Sequence, residues 1–217
     1  MRAALDFGIL GPLEVRLDGG APATLGGLRQ RALLAVLLLQ ANEVVSTDRL
    51  VDQLWGEQPP ATAVHTIQVF MSRLRTALGL GGERLVTRPP GYVLEVGSGE
   101  LDADRCEHLY THARSALAAG DPERAAALLR EGESLWRGPP LAEFTYEPFA
   151  QPAIARLEEL RMGCREELIE AELALGRHAS VVSELEALVQ QQPFRERLRG
   201  RFDTAAPTAP PTAPDTP

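Results

Sequence analysis

The 217-residue chain contains no lysine, and all 22 of its basic residues are arginines. This absence excludes enzymes that need a Schiff-base lysine or the lysine of a phosphate-binding P-loop. Cysteine is scarce as well: Cys106 and Cys164 stand far apart, which is typical of buried thiols in a reducing compartment. The longest apolar run, 32–39, is too short to cross a membrane, and no signal peptide follows Met1. These absences predict a cytoplasmic protein without a membrane partner.

Catalytic and metal-binding arrangements are also missing from the sequence. Asp104, His108 and His112 share one face of a predicted helix, but nothing supplies the fourth ligand that a zinc ion needs. Adjacent glutamates such as Glu158 and Glu159 do not face each other on a helix, so they indicate a solvated surface rather than a general acid and base. We therefore predict a protein that is not an enzyme and that needs neither a cofactor nor a metal.

Charge is divided unevenly along the chain, whose net charge is −8. Residues 1–97 contain nine arginines and nine acids, whereas residues 98–217 contain 13 arginines and 21 acids. Phosphate groups would repel the acidic half, so we expect only the first half to contact nucleic acid.

The first half alternates short strands with helices. Period-two alternation over 13–17 predicts a half-buried strand, with 7–10 as its partner in a small sheet. Helices are predicted at 29–40, 46–55 and 61–79, and two strands joined by Pro89-Pro90-Gly91 form a hairpin over 85–96. A helix that fits the major groove, followed by a β wing, is the layout of a winged-helix DNA binder.

The predicted helix 61–79 has two unlike faces. An apolar arc is expected to face the core: Ile67, Phe70, Met71, Leu74 and Leu78. The opposite side contains no acid and carries small polar residues, a valine and arginines: His65, Thr66, Gln68, Val69, Ser72, Arg73, Arg75 and Thr76. A face without carboxylates suits the major groove, where a carboxylate would meet phosphate charge.

The second half has helical periodicity throughout. Helices are predicted at 101–119, 121–136, 148–175 and 179–191, with breaks after Gly120 and Gly176. A helix, a glycine turn and a helix, repeated, indicate stacked hairpins of the tetratricopeptide kind. Five prolines in the 15 residues from 203 to 217 predict a disordered tail.

The predicted fold class is therefore α+β followed by all-α. A winged helix at 1–97 has an N-terminal sheet, three helices and a β wing. An all-α, tetratricopeptide-like helical domain occupies 100–202, and the disordered tail occupies 203–217.

Several collinear stretches resemble the Streptomyces antibiotic regulatory protein (SARP) family. They are FGILGPLEV at 7–15, LRQRALLAVLLL at 28–39, NEVVSTDRLVDQLW at 42–55, TIQVFMSRLRTAL at 66–78, LVTRPPGYV at 85–93, LLREGESLWRGP at 128–139 and ARLEELRMGCREELIEAELAL at 155–175. The resemblance implies an OmpR-type winged helix joined to a bacterial transcriptional activation domain. It also implies an activator of a secondary-metabolite gene cluster, such as one for antibiotic biosynthesis, located in the bacterial cytoplasm and nucleoid.

The resemblance further implies partners and residue roles. The partners are double-stranded DNA with promoter direct repeats, a second protomer in a homodimer on that DNA, and RNA polymerase holoenzyme. By position, the recognition helix is 61–79 and the wing tip is 88–91. Gln68 and Arg73 then take base-reading positions, and backbone or minor-groove positions fall to His65, Arg75 and Arg88.

Three residues on the recognition helix each have a plainer interpretation. Arg73 can form two hydrogen bonds with guanine, contact a phosphate, or remain solvated. Gln68 can pair with adenine or only shield the helix from solvent. Val69 can contact a thymine methyl group or a neighbouring protomer, and the sequence favours an ordinary exposed valine.

Three arginines outside that helix are also ambiguous. Arg88 can enter a minor groove or close the turn of the wing. Arg29 and Arg31 begin the first helix, where free backbone N–H groups favour a phosphate. A solvated helix start is an equally good interpretation of these two arginines.

Two departures from the family pattern change the expectation. Phe70 and Ser72 stand where relatives often have basic residues, so we expect lower DNA affinity. The helical domain of the family usually continues beyond residue 201, whereas this sequence turns to Pro, Thr and Ala. A natural short form, an artificial boundary and a frameshift would each produce that ending.

Two functions therefore remain open. The first is a sequence-specific DNA-binding transcription activator. The second is a helical-repeat interaction adaptor with weak or no DNA binding, which the near-neutral charge of residues 1–97 leaves open.

Overall fold

The computed structural model describes residues 4–178 and Val181. Its strands are β1 (Leu5–Gly8), β2 (Glu14–Leu17), β3 (Val45–Ser46), β4 (Leu85–Arg88) and β5 (Gly91–Leu94). Its helices are α1 (Leu28–Leu39), α2 (Thr47–Trp55), α3 (Ala63–Ala77), α4 (Asp102–Ala118), α5 (Pro122–Ser134) and α6 (Gln151–Ala174), with short 3-10 turns at Gly79–Arg84 and Ala142–Phe144. The predicted α+β winged helix followed by helices is confirmed.

The chain divides into two compact units, which cut across three helices. The first unit contains residues 1–109 with 131–162, and the second contains residues 110–130 with the chain from 163 onward. The domain boundaries drawn from the sequence stay predictions. No helix in the part of the chain that the structure describes is long and apolar enough to cross a membrane.

The predicted N-terminal sheet is present in the first unit. Strands β1 and β2 pair antiparallel, with Phe7 opposite Val15, and both side chains are fully buried. The first strand begins at Leu5 and ends at Gly8, earlier than predicted. It ends there because the next two N–H groups, of Ile9 and Leu10, donate to the carboxylate of Asp102 at 2.9 and 3.0 Å.

Asp102 joins the first sheet to later parts of the same unit. Its carboxylate also accepts a hydrogen bond from Arg137 at 3.1 Å, and its side chain is 4% exposed. Burial raises the pKa of Asp102 above its ordinary value of 3.8, because desolvation disfavours the charged form. The two backbone N–H groups and Arg137 act in the opposite direction. The segments that begin at Leu101 and Arg137 therefore belong to the same compact unit as β1.

A pH dependence follows from the raised pKa of Asp102. The stability that this raised pKa contributes is expected to be fully present below pH 3.8 and to be lost as the pH rises through the folded-state pKa. Between pH 3.8 and the folded-state pKa, the folded protein holds the proton on Asp102 more tightly than the unfolded chain does. Urea unfolding across pH 3.5–7 (roughly the range that carboxyl groups titrate) should show the free-energy difference between wild type and Asp102→Asn falling with pH. A difference that grows with pH would contradict this prediction.

Helices α2 and α3 of the winged helix pack against α1. Eight of its 12 residues are buried, including the predicted stripe Leu33, Leu34, Leu37 and Leu38, because it is apolar on nearly all sides. Helix α2 begins after Ser46, whose hydroxyl oxygen accepts a hydrogen bond from the N–H of Arg49 at 3.2 Å.

Helix α3 buries the predicted apolar arc with one difference. Ile67, Met71, Leu74 and Leu78 are buried, whereas Phe70 is only half-buried at the edge of the arc. The helix ends just before Gly79, whose φ of 54° lies in the left-handed region that favours glycine.

The wing forms a three-stranded sheet in the order β3-β5-β4. Strand β3 has two residues and was not predicted. It pairs with β5 so closely that a Cβ atom on Gly91 would lie 1.9 Å from the carbonyl oxygen of Val45. Only glycine fits at the start of β5.

The second unit contains the predicted glycine turns. Gly120 and Gly176 follow α4 and α6 with φ values of 76° and 74°. After the first turn, the Asp121 carboxylate accepts a hydrogen bond from the N–H of Arg124 at 3.0 Å and caps α5. The predicted helix 179–191, apart from Val181, and the predicted disordered tail 203–217 lie outside the described residues.

Candidate nucleic-acid interface

Helix α3 presents an exposed polar face beside its buried apolar face. Ile67, Met71 and Leu74 hold the helix against the core. Five of the predicted interface residues are exposed: His65, Gln68, Ser72, Arg73 and Thr76. Thr66, Val69 and Arg75 are half-buried. The helix contains no acidic residue, so nothing on it repels a phosphate.

The two threonines of this face already form local hydrogen bonds. The hydroxyl group of Thr66 donates to the carbonyl oxygen of Thr62 at 2.9 Å, and that of Thr76 donates to Ser72 at 3.1 Å. Each hydroxyl oxygen can still accept a hydrogen bond from a DNA base amine. The threonines can therefore contact DNA as acceptors while these local bonds persist.

The two arginines of α3 have different environments. Arg73 is exposed and forms no hydrogen bond or ion pair with any residue that the structure describes. Arg75 instead donates from Nε to the carbonyl oxygen of Leu85 at 2.8 Å and from Nη2 to the hydroxyl oxygen of Thr87 at 2.9 Å. Arg73 is thus available to a ligand, whereas the guanidinium of Arg75 is fastened to β4.

The tip of the wing is exposed. Arg88 ends β4 opposite Gly91, and Pro89 and Pro90 form the connection. Within the described residues, the guanidinium of Arg88 has no hydrogen-bond or ion-pair partner. Its exposed position at the tip of the hairpin suits contact with a phosphate or a minor groove.

Other arginines of the first unit are held by protein groups. Arg84 is 8% exposed and pairs with Glu100 at 3.0 Å, so its positive charge is neutralised. Arg31 donates to the carbonyl oxygen of Leu13 at 2.8 Å and pairs with Glu143. A phosphate contact by Arg31 therefore requires it to leave these partners, and that contact stays a prediction.

Arg29 is exposed at the start of α1, but it too has neighbours. It donates to the carbonyl oxygen of Leu54 at 3.1 Å, and its guanidinium lies 5.5 Å from the centre of the Trp55 ring. These contacts direct the side chain toward the end of α2. The phosphate contact predicted for Arg29 is untested.

Sequence reasoning missed two features of this surface. Thr87 was not predicted as a partner of Arg75, and Glu100 was not predicted to neutralise Arg84. Alternation along β4 could have placed Thr87 on the outer side of the wing, but not beside a helical arginine.

Among the described residues there is no group of three or more His, Cys, Asp or Glu side chains that could hold a metal ion.

Comparison with protein families matches two regions of the chain. Residues 24–94 match the family described as "Transcriptional regulatory protein, C terminal", and residues 101–206 match the "Bacterial transcriptional activator domain". The first match contains the helices and wing described above. The second begins just before α4.

Curated relatives are similar over most of this chain. Regulatory protein AfsR of Streptomyces coelicolor is 42% identical over 90% of this chain and 19% of its own length. Transcriptional regulatory protein EmbR of Mycobacterium tuberculosis is 38% identical over 93% of this chain and 53% of its own length. Regulatory protein DnrI of Streptomyces peucetius is 34% identical over 91% of this chain and 76% of its own length. The chain therefore spans about a fifth of AfsR and about half of EmbR.

A solved structure shares the fold. It is that of Mycobacterium tuberculosis EmbR in complex with a low-affinity phosphopeptide, with a TM-score of 0.89 and 38% sequence identity. The match covers 94% of this chain and 54% of that chain.

Proposed function

Because this chain belongs to the Streptomyces antibiotic regulatory protein family of DNA-binding transcriptional regulators, we propose that it activates transcription by reading promoter direct repeats. Helix α3 would enter the major groove, and the wing would contact the adjacent backbone or minor groove. Two protomers would bind side by side, one on each repeat. The helical part would contact RNA polymerase, and the regulated genes would form a secondary-metabolite cluster. The protein itself would act in the bacterial cytoplasm, at the nucleoid.

The observation that carries the DNA-binding proposal is the combination of two unpaired arginines with an acid-free helix face. Arg73 on α3 and Arg88 on the wing are both exposed and without protein partners among the described residues. The apolar side of α3 is buried, so this polar side is the one that a duplex can reach. Exposed arginines in such positions are the groups that pair with guanine edges and phosphates.

The charge of the first unit supports a second candidate function. Arg16, Arg31 and Arg84 all pair with glutamates, which reduces the positive potential that would attract DNA. An interaction adaptor with weak or no DNA binding is consistent with that neutralisation. The salt dependence of DNA binding distinguishes the two functions.

We expect binding to a promoter fragment to weaken steeply as salt rises. The slope of log K against log[salt] should be roughly −3 to −6 per protomer, because about four to six phosphates would release their counterions. Fluorescence anisotropy with labelled fragments from the gene neighbourhood of the protein would measure this slope. Binding to none of these fragments, or a slope near zero, would favour the adaptor.

The finer parts of the proposal need separate experiments. A footprint across the gene neighbourhood would show whether the protected region contains two repeats on one side of the duplex. Transcription from that promoter by purified RNA polymerase, with and without the protein, would test activation. Protection of a single half-site, or transcription that does not change, would remove the direct-repeat or the activator assignment respectively.

A further inference from the structure

Arg75 connects the recognition helix to the wing. It lies in the last turn of α3, and its side chain is half-buried. Its two donated hydrogen bonds, at 2.8 and 2.9 Å, both reach β4: one ends on the backbone of Leu85 and the other on the side chain of Thr87. Two bonds from one planar guanidinium fix both a distance and an orientation between the helix and the strand.

The backbone around Arg75 is also closely packed. The turn Gly79–Arg84 folds back on the end of α3, so that a Cβ atom on Gly82 would lie 2.2 Å from the carbonyl oxygen of Arg75. This close approach of Gly82 fixes the backbone of Arg75, from which the side chain begins. Its hydrogen bonds to β4 therefore begin from a fixed point on the helix.

The hydrogen bond between Arg75 and Thr87 lies close to the tip of the wing. Thr87 pairs with Tyr92 across the hairpin, and the next pair along is Arg88 with Gly91. Arg88 is thus one residue beyond the point at which Arg75 holds the strand. Arg73, the exposed arginine on α3, is two residues before Arg75 in the chain.

We propose that Arg75 is a positioning residue for DNA recognition. It sets the separation and angle between α3 and the wing, so that Arg73 and Arg88 engage the same duplex together. This inference rests on the proposed DNA-binding function and differs from a direct backbone contact by Arg75. The contacts of Arg73 and Arg88 with DNA would then reinforce each other, because the second contact forms without a further loss of translational freedom.

A double-mutant cycle on DNA affinity tests this role. In wild type, Arg88→Ala is expected to weaken binding by about tenfold, because it removes a hydrogen bond to a charged group. In the Arg75→Met background, the same change should cost less than about twofold, because the wing is no longer held where Arg88 can reach DNA. Fluorescence anisotropy with the promoter fragment would give all four affinities. Losses that add, with Arg88→Ala costing about tenfold in both backgrounds, would overturn the proposal.

Thr87→Val provides a second test that changes no charge. It removes the acceptor of one Arg75 bond and should weaken DNA binding by about threefold while also making the salt slope shallower. If Arg75 contacts a phosphate directly, Thr87→Val should leave both the affinity and the salt slope unchanged. That result would overturn the proposal. Because this change lies on the exposed side of the wing, it keeps the test open if Arg75→Met fails to fold.

A matched control and the wild-type result separate the remaining outcomes. Arg124→Ala removes one positive charge from an exposed position on α5 and should leave affinity within about twofold. If the wild-type protein binds with a steep salt slope but the affinity losses of Arg75→Met and Arg88→Ala add, this inference is wrong and the proposed function still stands. Wild-type protein that binds no promoter fragment would overturn both this inference and the proposed function.

Discussion

Replacing Asp102 with alanine is expected to lower the free energy of unfolding at neutral pH by roughly 3 kcal/mol. The change leaves the N–H groups of Ile9 and Leu10 without their acceptor, and both residues are at most 1% exposed. Each buried donor that loses its partner costs about 1–3 kcal/mol. Part of that loss is offset, because the variant no longer buries a carboxylate whose raised pKa reports a desolvation cost.

Arg137 adds less to this effect than the backbone groups do. Its side chain is 29% exposed, and without Asp102 it keeps a 2.9 Å hydrogen bond to the carbonyl oxygen of Pro12. Water can therefore replace part of the lost ion pair. The main loss is expected where β1 ends, at the two backbone N–H groups.

Asp104→Ala is the matched control for Asp102. Asp104 is the same residue type in the same first turn of α4, but it is only half-buried and receives no backbone N–H from the first sheet. Its removal should change the free energy of unfolding by less than about 1 kcal/mol. Urea unfolding followed by circular dichroism would compare the two variants. Equal losses for both would show that Asp102 does not hold the first sheet.

Local patterns were sufficient to predict the three helices of the winged helix and its strands other than β3. The apolar spacing of α3 predicted that Ile67, Met71 and Leu74 would be buried, because a helix repeats every 3.6 residues and sorts its side chains by face. The same spacing predicted that His65 and Arg73 would be exposed, and both are. Element ends were less predictable, since α3 begins two residues later than the predicted start at 61.

Contacts between distant residues could not be predicted from periodicity. Asp102 is 93 residues from Ile9, and nothing in either local sequence specifies the other as its partner. The bond between Arg75 and Thr87 is of the same kind, because it depends on how the hairpin returns to the helix. Strand β3 was missed for a related reason: two residues are too few to show an alternation.

The candidate site shows the same division between local and distant information. Composition and spacing identified α3 and the wing, but they assigned Arg75 and Arg73 similar availability to DNA. The structure separates these two arginines by their hydrogen bonds, which depend on β4. Likewise, the charge count over residues 1–97 included Arg84 among nine arginines, whereas Glu100, which lies outside that range, neutralises it.

Arg73→Ala is expected to reduce discrimination between the cognate promoter and unrelated DNA by about 10- to 100-fold. An arginine that forms two hydrogen bonds with a guanine contributes about 1–3 kcal/mol of preference over the wrong base. Among the residues of α3 that face solvent, Arg73 is the only arginine without a protein partner in the described part of the chain. Its loss cannot be replaced by Arg75, whose guanidinium is held by Leu85 and Thr87.

The measurement must separate base reading from general attraction. If Arg73 reads a base, Arg73→Ala should weaken binding to the cognate fragment much more than binding to a scrambled fragment of equal length. If it contacts only a phosphate, both affinities should fall together and the salt slope should become shallower by about one. Arg124→Ala again controls for the loss of one charge, because it lies on α5, outside the proposed interface. An Arg73→Ala protein that keeps wild-type affinity and selectivity would show that α3 does not read DNA through this residue, and the exposed face would then need another partner.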